Sequence, residues 1–399
     1  MNSRKYILKY AMLQVFYWAS LCAIMGYAVV YMLEKGYSNS EIGMTMAASN
    51  IISVIMQPLI AGILDKSKKL TLRKMIGLLA GGMFGAAICI LLLKKVSVIL
   101  TMFLIITMVA ITVIQPFINS VAVKLQEQGI AVNFGLCRAC GSVAYAVVST
   151  IEGILIEKYS VVVAPIALMI LLVFFFVCLA IMGNVENVTG GSEKKETQKE
   201  EEAQSVWLLL RNNKRFGVLL IGISLIFYTH MITSNYLIQI IENVGGNSSH
   251  MGIASSIAAI VELPAMIFFV KLVKKVKCHT LLRIAGVVFG LKYVALYLAN
   301  SVAMIYMAQV LQCASYALFI PASVHYVSKL FGKADTVKGQ SLITTATTLG
   351  NVFASLIGGR ILDLYGTEEM MLVAVIVALV GVVLLGIGVE NREHTADTV

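Results

Sequence analysis

Charge is scarce in this chain. Only 13% of its residues are Asp, Glu, Lys or Arg, 59% are hydrophobic, and the mean hydropathy is +0.88. Soluble domains carry about 25% charged and 45–50% apolar residues, so a water-soluble fold is excluded. Acidic groups are scarcest inside the apolar runs, where only Glu152 and Glu262 clearly fall. Paired cysteines are lacking as well. The seven cysteines are odd in number and lie mostly within apolar runs (Cys22, Cys89, Cys178, Cys313), which excludes a disulfide framework. The Cys-x-x-Cys at Cys137 and Cys140 starts an apolar helix with no strand before it, so packing thiols are expected there rather than redox or metal chemistry. The sequence has no His-Glu-x-x-His, no Gly-x-Ser-x-Gly and no nucleotide-binding glycine loop, and its polar loops lack clustered His or Asp. Neither an enzyme, a metal site nor a bound cofactor is expected.

What remains is a succession of apolar runs. A segment of about 20 such residues crosses a hydrocarbon core of about 30 Å. Twelve helical spans are read at 10–33, 40–63, 74–93, 96–123, 134–156, 160–182, 214–241, 250–271, 280–299, 301–327, 339–362 and 369–389. The first run is too long for a signal-peptide core and has no small-residue cleavage site after it, so it is read as a span. The longest break, 183–212, contains "GGSEKKETQKEEEAQ", a solvated cytoplasmic linker with no apolar period. It separates an N-terminal six-helix half (1–182) from a C-terminal one (213–390), and a short cytoplasmic tail (391–399) follows.

The net charge of +10 raises the question of nucleic acid, but the placement of the basic residues answers it. With the N-terminus inside, most of the 31 Lys and Arg fall in cytoplasmic segments, and the outer loops hold only Lys35, Lys94, Lys95 and Lys158. The basic balance therefore reports topology. Both termini are expected in the cytoplasm, in a multi-pass protein of the cell (inner or plasma) membrane. No nucleic-acid partner is expected.

An internal repeat supports two like halves. "TLRKMIGLLAGG" (71–82) and "TLLRIAGVVFGL" (280–291) match at an offset of 209, pairing Thr71 with Thr280, Gly77 with Gly286 and Gly81 with Gly290. Parallel six-span repeats describe a class of secondary transporter with its site at the membrane midplane.

At this point the sequence resembles the major facilitator superfamily, in its lactose-permease-like branch of proton symporters for oligosaccharides, nucleosides and phenylpropionates. The resemblance covers nearly the whole chain. "QPLIAGILDKSKKLTLRK" (57–74) is similar to the superfamily's signature loop, with Asp65 as its acidic anchor and Arg73 among its basic residues; the leading glycine is replaced by Ala61. "FGLCRACGSVAYAVVSTIEGIL" (134–155) resembles the permease's fifth span, with Arg138 on the sugar-binding arginine and Tyr145 on the sugar-stacking tryptophan. "VELPAMIFF" (261–269) places Glu262 on the sugar-binding glutamate, and "VFGLKYVAL" (288–296) puts Lys292 where the family carries a coupling arginine. The departures lie in the fourth, seventh and tenth spans. Asn119 and Ser120 stand near the fourth span's acidic ligand, the seventh lacks paired aspartates, and Gln309, Gln312 and Ser315 occupy the tenth span's coupling positions. The resemblance implies an all-α membrane protein of the major facilitator fold, twelve transmembrane helices in two pseudo-symmetric halves, working as a monomer.

The residues carry a reading of their own. A charge at mid-bilayer costs about 2.5–3.5 kcal/mol on insertion scales, so such groups normally face the bundle interior. Glu262 and Lys292 lie about 14 Å and about 18 Å from the inner ends of their spans, close enough in depth for a lysine stem to join them. That pair is read as substrate binding and proton coupling, with a static ion pair as the alternative. Arg138, Tyr145 and Glu152 are spaced seven apart and form one polar stripe on a helix. A guanidinium binds adjacent hydroxyls with a planar fork of donors, and a ring offers a flat face to a sugar or base. Arg138 reaching back to the cytoplasm, Tyr145 as plain packing and Glu152 at the interface are the alternatives. His230 is an imidazole in the seventh span suited to proton exchange. Asn235 in that span and Gln312 in the tenth are neutral groups for binding a hydroxyl- or amide-bearing solute. Asp65 and Arg73 are expected to gate. Together these residues point to proton-coupled symport of a small polar solute, sugar or nucleoside-like, driven by the proton gradient. A proton-coupled efflux antiporter or a uniporter on the same fold is the alternative, and a channel would need neither matching halves nor buried charges.

Overall fold

The computed structural model describes residues 3–67, 70–183, 206–331 and 333–391. Among the described residues there is no strand, and twelve spans are long and apolar enough to cross a membrane. All twelve coincide with the apolar runs of the sequence. In chain order the helices are α1 (Ser3–Leu21), α2 (Ala28–Lys35), α3 (Asn39–Lys66), α4 (Leu72–Leu92), α5 (Val98–Glu127), α6 (Phe134–Lys158), α7 (Val163–Met182) and α8 (Val206–Asn212). They continue with α9 (Lys214–Asn235), α10 (Leu237–Asn243), α11 (Ser248–Val273), α12 (Cys278–Tyr297), α13 (Val302–Val310), α14 (Tyr316–Leu330), α15 (Lys333–Leu364) and α16 (Thr367–Gly388).

Local chemistry sets the helix ends. Ser38 and Glu41 form a reciprocal capping box at the start of α3, with Glu41 N donating to Ser38 Oγ at 3.2 Å and Ser38 N to the Glu41 carboxylate at 2.8 Å. Thr71, Ser97 and Asn133 cap α4, α5 and α6 by accepting from a backbone N–H of the first turn. Prolines inside helices are tolerated because neighbours satisfy the carbonyls they free. Pro116 in α5 cannot donate to Thr112 O, and Gln57 Nε2 of α3 takes that role at 3.5 Å.

The expected linker is only partly within view. Residues 184–205 of it, and residues 392–399 of the tail, lie outside the described residues. Residues 206–212, assigned to the linker from sequence, are instead the helix α8. Its Leu209 is buried while Trp207 stays exposed. The short run Trp-Leu-Leu-Leu is apolar enough to bury one face but too short to register as a span.

By compactness the chain divides into two units, Met1–Ser192 with Gly246–Ile260, and Glu193–Gly245 with Val261–Val399. In the first unit α1 packs on α6 and α7, and α4 on α5 and α7. Leu13, Ile76, Leu104, Ile114 and Leu168 are among its fully buried side chains. In the second unit α9 packs on α15 and α16, and α12 on α14 and α16.

Among the described residues three spans are interrupted. The first breaks at a π-helical turn, Cys22–Gly26, between α1 and α2; the seventh breaks at Tyr236, between α9 and α10; the tenth breaks at a 3₁₀ turn, Leu311–Cys313, between α13 and α14. Non-helical backbone at membrane depth persists only where protein or a cavity satisfies it. Tyr27 and Tyr236 stand at the first two breaks and are 209 residues apart, the offset of the sequence repeat. Each ties its break to a later span of its own unit: the Tyr27 hydroxyl donates to Ser149 O, and that of Tyr236 to Ser355 O at 2.7 Å. Replacing either with Phe removes one buried hydrogen bond, so Tyr27→Phe and Tyr236→Phe should each cost about 1 kcal/mol, read by thermal unfolding in detergent.

Candidate functional site

The second unit builds a polar chain inside an apolar bundle. Lys292 projects from α12 and is only 3% exposed. Its ammonium donates to Gln312 Oε1 at 2.5 Å, and Gln312 Nε2 donates to Glu262 Oε1 at 3.0 Å. Gln312 sits in the 3₁₀ turn of the tenth span, so the break aims an amide at two charged groups from two other helices. A 3₁₀ stretch in mid-helix often marks a hinge. The sequence placed Glu262 and Lys292 within reach of a lysine stem, and in the structure the Gln312 amide spans the two, accepting from the amine and donating to the carboxyl group. Hydrogen bonds to ionised groups are roughly twice as strong as neutral ones.

His230 is buried in α9, stacked on Tyr316 at 4.9 Å and 23°, with Phe227 and Phe289 edge-on at 5.8 Å. Its Nδ1 has no hydrogen-bond partner among the described residues. Asn235 ends α9 and donates from Nδ2 to Ser355 Oγ at 3.1 Å, which ties it to α15. Gln309 and Ser315 flank the tenth-span break and are both buried.

In the first unit the sevenfold spacing becomes a seam. Arg138, Ser142, Tyr145, Ser149 and Glu152 alternate steps of four and three along α6, which keeps them on one helix face. They meet α1 and the π turn. The Arg138 guanidinium lies over the Trp18 ring, 3.4 Å from its centroid, and donates from one terminal nitrogen to Ser142 Oγ at 2.6 Å. Trp18 Nε1 donates to Gln14 Oε1 at 3.0 Å, and Gln14 Nε2 to the Tyr10 hydroxyl at 2.6 Å. Arg138 is thus held against an aromatic face of α1. The Tyr145 hydroxyl sits beside Gly26, 3.5 Å from where a Cβ would stand on that residue. Glu152, considered interfacial from its place in the sequence, is 2% exposed. Trp18 and Gln14 were not singled out from sequence; the spacing of Tyr10, Gln14 and Trp18, four apart, is the signal that could have found them.

Asp65 and Arg73 stand at the helix ends of the signature loop. Asp65 borders a cavity of about 360 Å³ shared with Ser67, Thr71, Ser120 and Lys124. Arg73 borders a separate depression with Lys74, Gly77 and Phe176. Among the described residues no group of three or more His, Cys, Asp or Glu is gathered as metal ligands, and all seven cysteines are free.

Broken membrane helices with polar groups at their breaks are a recurrent feature of secondary transporters. The chain belongs to the MFS_1 like family, which matches residues 7–384. It is 25% identical over 370 residues to a maltose permease of Geobacillus stearothermophilus, covering 92% of this chain and 90% of that protein. It is 24% identical over 373 residues to the uncharacterized transporter YwbF of Bacillus subtilis (strain 168), covering 91% and 88%. Among solved structures, the nucleoside transporter NupG superposes with a TM-score of 0.76 at 16% identity, over 96% of this chain and 98% of that one. A bacterial homolog of the human lysosomal transporter Spinster superposes with a TM-score of 0.73 at 11% identity, over 97% and 96%. This chain is a multi-pass membrane transporter with the major facilitator fold.

Proposed function

We propose that this transporter carries a small polar solute, a sugar or nucleoside, together with protons by alternating access. The observation that carries the reading is the Lys292–Gln312–Glu262 chain. While Glu262 is ionised, the Gln312 amide is held between the two charges. Adding a proton to the carboxylate removes the anion that orients the amide, and frees Gln312 and Lys292 to bind solute hydroxyl or carbonyl groups. Protonation and solute binding then favour each other. His230, stacked on Tyr316, is assigned to proton exchange, and Asn235 to the solute. The maltose permease relative and the NupG-like fold support a sugar or nucleoside as solute.

Arg138 and Tyr145 are assigned to solute binding. A guanidinium offers a two-point donor pattern that an ammonium cannot reproduce. Asp65 and Arg73 are assigned to gating at the signature loop. The protein is placed in the cell membrane with both termini in the cytoplasm, acting as a monomer with no cofactor beyond the proton gradient.

A thermal-shift screen of purified protein with maltose, lactose and uridine tests the solute class. A ligand at 100 times its Kd stabilises the native state by about 2.7 kcal/mol, which raises Tm by several degrees for one of the three. No shift with any of them would remove both solute classes. Arg138→Lys should weaken the binding that is found by about 10- to 100-fold, the range set by losing one charge-assisted hydrogen bond. Unchanged affinity would remove Arg138 from the site.

A further inference from the structure

Glu152 has no part in the function proposed above, yet it is the most deeply buried acidic residue among those described. Its side chain is 2% exposed, and neither carboxylate oxygen has a hydrogen-bond partner among the described residues. Cys22 and Tyr27, at the break in the first span, are the titratable groups that face it. Across α7 the only titratable side chain is Cys178, and in the part of α11 belonging to this unit it is His250, whose Nδ1 accepts from Asn247 N. On α6 itself the stripe residues before it are Ser149 and Tyr145, and Arg138 lies four turns away.

The site is closed by a tight helix contact. A Cβ on Gly153 would come within 2.6 Å of Ser248 O and 2.7 Å of the Tyr27 hydroxyl, and one on Gly252 within 2.6 Å of that same hydroxyl. Ser256 Oγ donates to Ala146 O at 2.5 Å and meets Thr150 Oγ1 at 2.7 Å, so α6 and the start of α11 are fastened along this line. The fold does not demand the acid. When Ser149 is matched with Ser355, the tyrosine-bound serines of the two units, Glu152 corresponds to Gly358, which packs against the ring of Tyr236. The second unit makes the same tyrosine-tied break without a carboxyl group at the matching position.

An ionised carboxylate removed from water with neither a cation nor a donor is among the costliest groups a protein can bury, and the neutral acid is far cheaper. We propose that Glu152 is a proton-binding site of this transporter, occupied in this conformation and shielded by the α6–α11 contact. The bound species is a single proton on one carboxyl oxygen. It exchanges with solvent only when Tyr27, Ser149 and Gly252 separate. The site is independent of Glu262, so it stands or falls apart from the coupling assigned to that residue.

Infrared spectroscopy of the purified protein at neutral pH, without solute, tests this. Exposed carboxyl groups are ionised there, so a protonated carboxylic acid gives an isolated carbonyl band that shifts in heavy water. The expected result is a band present in the wild type and in Glu262→Gln, lost in Glu152→Gln, and retained at a changed frequency in Glu152→Asp. Gln matches the shape of the neutral acid, so Glu152→Gln should keep the Tm of the wild type. A wild-type spectrum with no such band, or a band unchanged by Glu152→Gln, would overturn the assignment.

Discussion

Glu262→Gln should abolish proton-driven accumulation of solute while sparing equilibrium exchange. Glutamine has the shape of a protonated glutamate but cannot release a proton. It can still take part in the hydrogen-bond chain with Gln312, whose amide can rotate to suit a neutral partner. A transporter fixed in the protonated form keeps its binding site and its conformational cycle with solute bound. It loses the return step that requires deprotonation. In proteoliposomes, uptake against a gradient should fall to the level of protein-free vesicles, and counterflow should stay within a few-fold of wild type. Uptake and pH dependence that both survive the substitution would show that Glu262 carries no coupling.

Lys292→Met should be the most destabilising single substitution at this site. Lys292 is buried and donates to Gln312, which in turn donates to Glu262. Removing one member of a buried charged pair leaves the other uncompensated and costs about 3–5 kcal/mol, whereas replacing both by neutral groups of similar size is often neutral. The double variant Lys292→Met with Glu262→Gln should therefore recover most of the lost thermal stability without recovering coupled transport. Denaturation of the two single variants and the double variant forms a closed cycle, and the coupling read from it should exceed about 1 kcal/mol, within the range found for contacting residues. Additive losses would mean that the two charges do not sense each other through Gln312.

The architecture was legible because hydrocarbon imposes simple rules. Runs of about 20 apolar residues are hard to mistake, and they match the twelve spans of the structure. The breaks in the first, seventh and tenth spans were not legible, because apolar periodicity continues through them. Residues 22–26 and 311–313 read as ordinary helix by composition. That loss propagated to the site. Glu262, Lys292 and Gln312 were all found by being polar in an apolar run, but the bridging place of Gln312 depends on the 3₁₀ turn that carries it. The stripe on α6 was visible in the sevenfold spacing of Arg138, Tyr145 and Glu152. The serines at the intermediate positions, and Trp18 beneath the guanidinium, required the neighbouring helix to be seen. Burial of Glu152 was missed for a related reason: distance along a span gives depth, not which neighbours cover a side chain.

The role of the Lys292–Gln312–Glu262 chain can be tested by measuring solute and proton movement together. Proteoliposomes with an inward proton gradient would be given labelled maltose or uridine while external pH is recorded. Proton-coupled symport predicts accumulation above equilibrium for one of these solutes, with alkalinisation of the medium on its addition. A protonophore and Glu262→Gln should each abolish both signals. Accumulation that ignores the protonophore, or equilibrating flux with no pH change, would contradict the account.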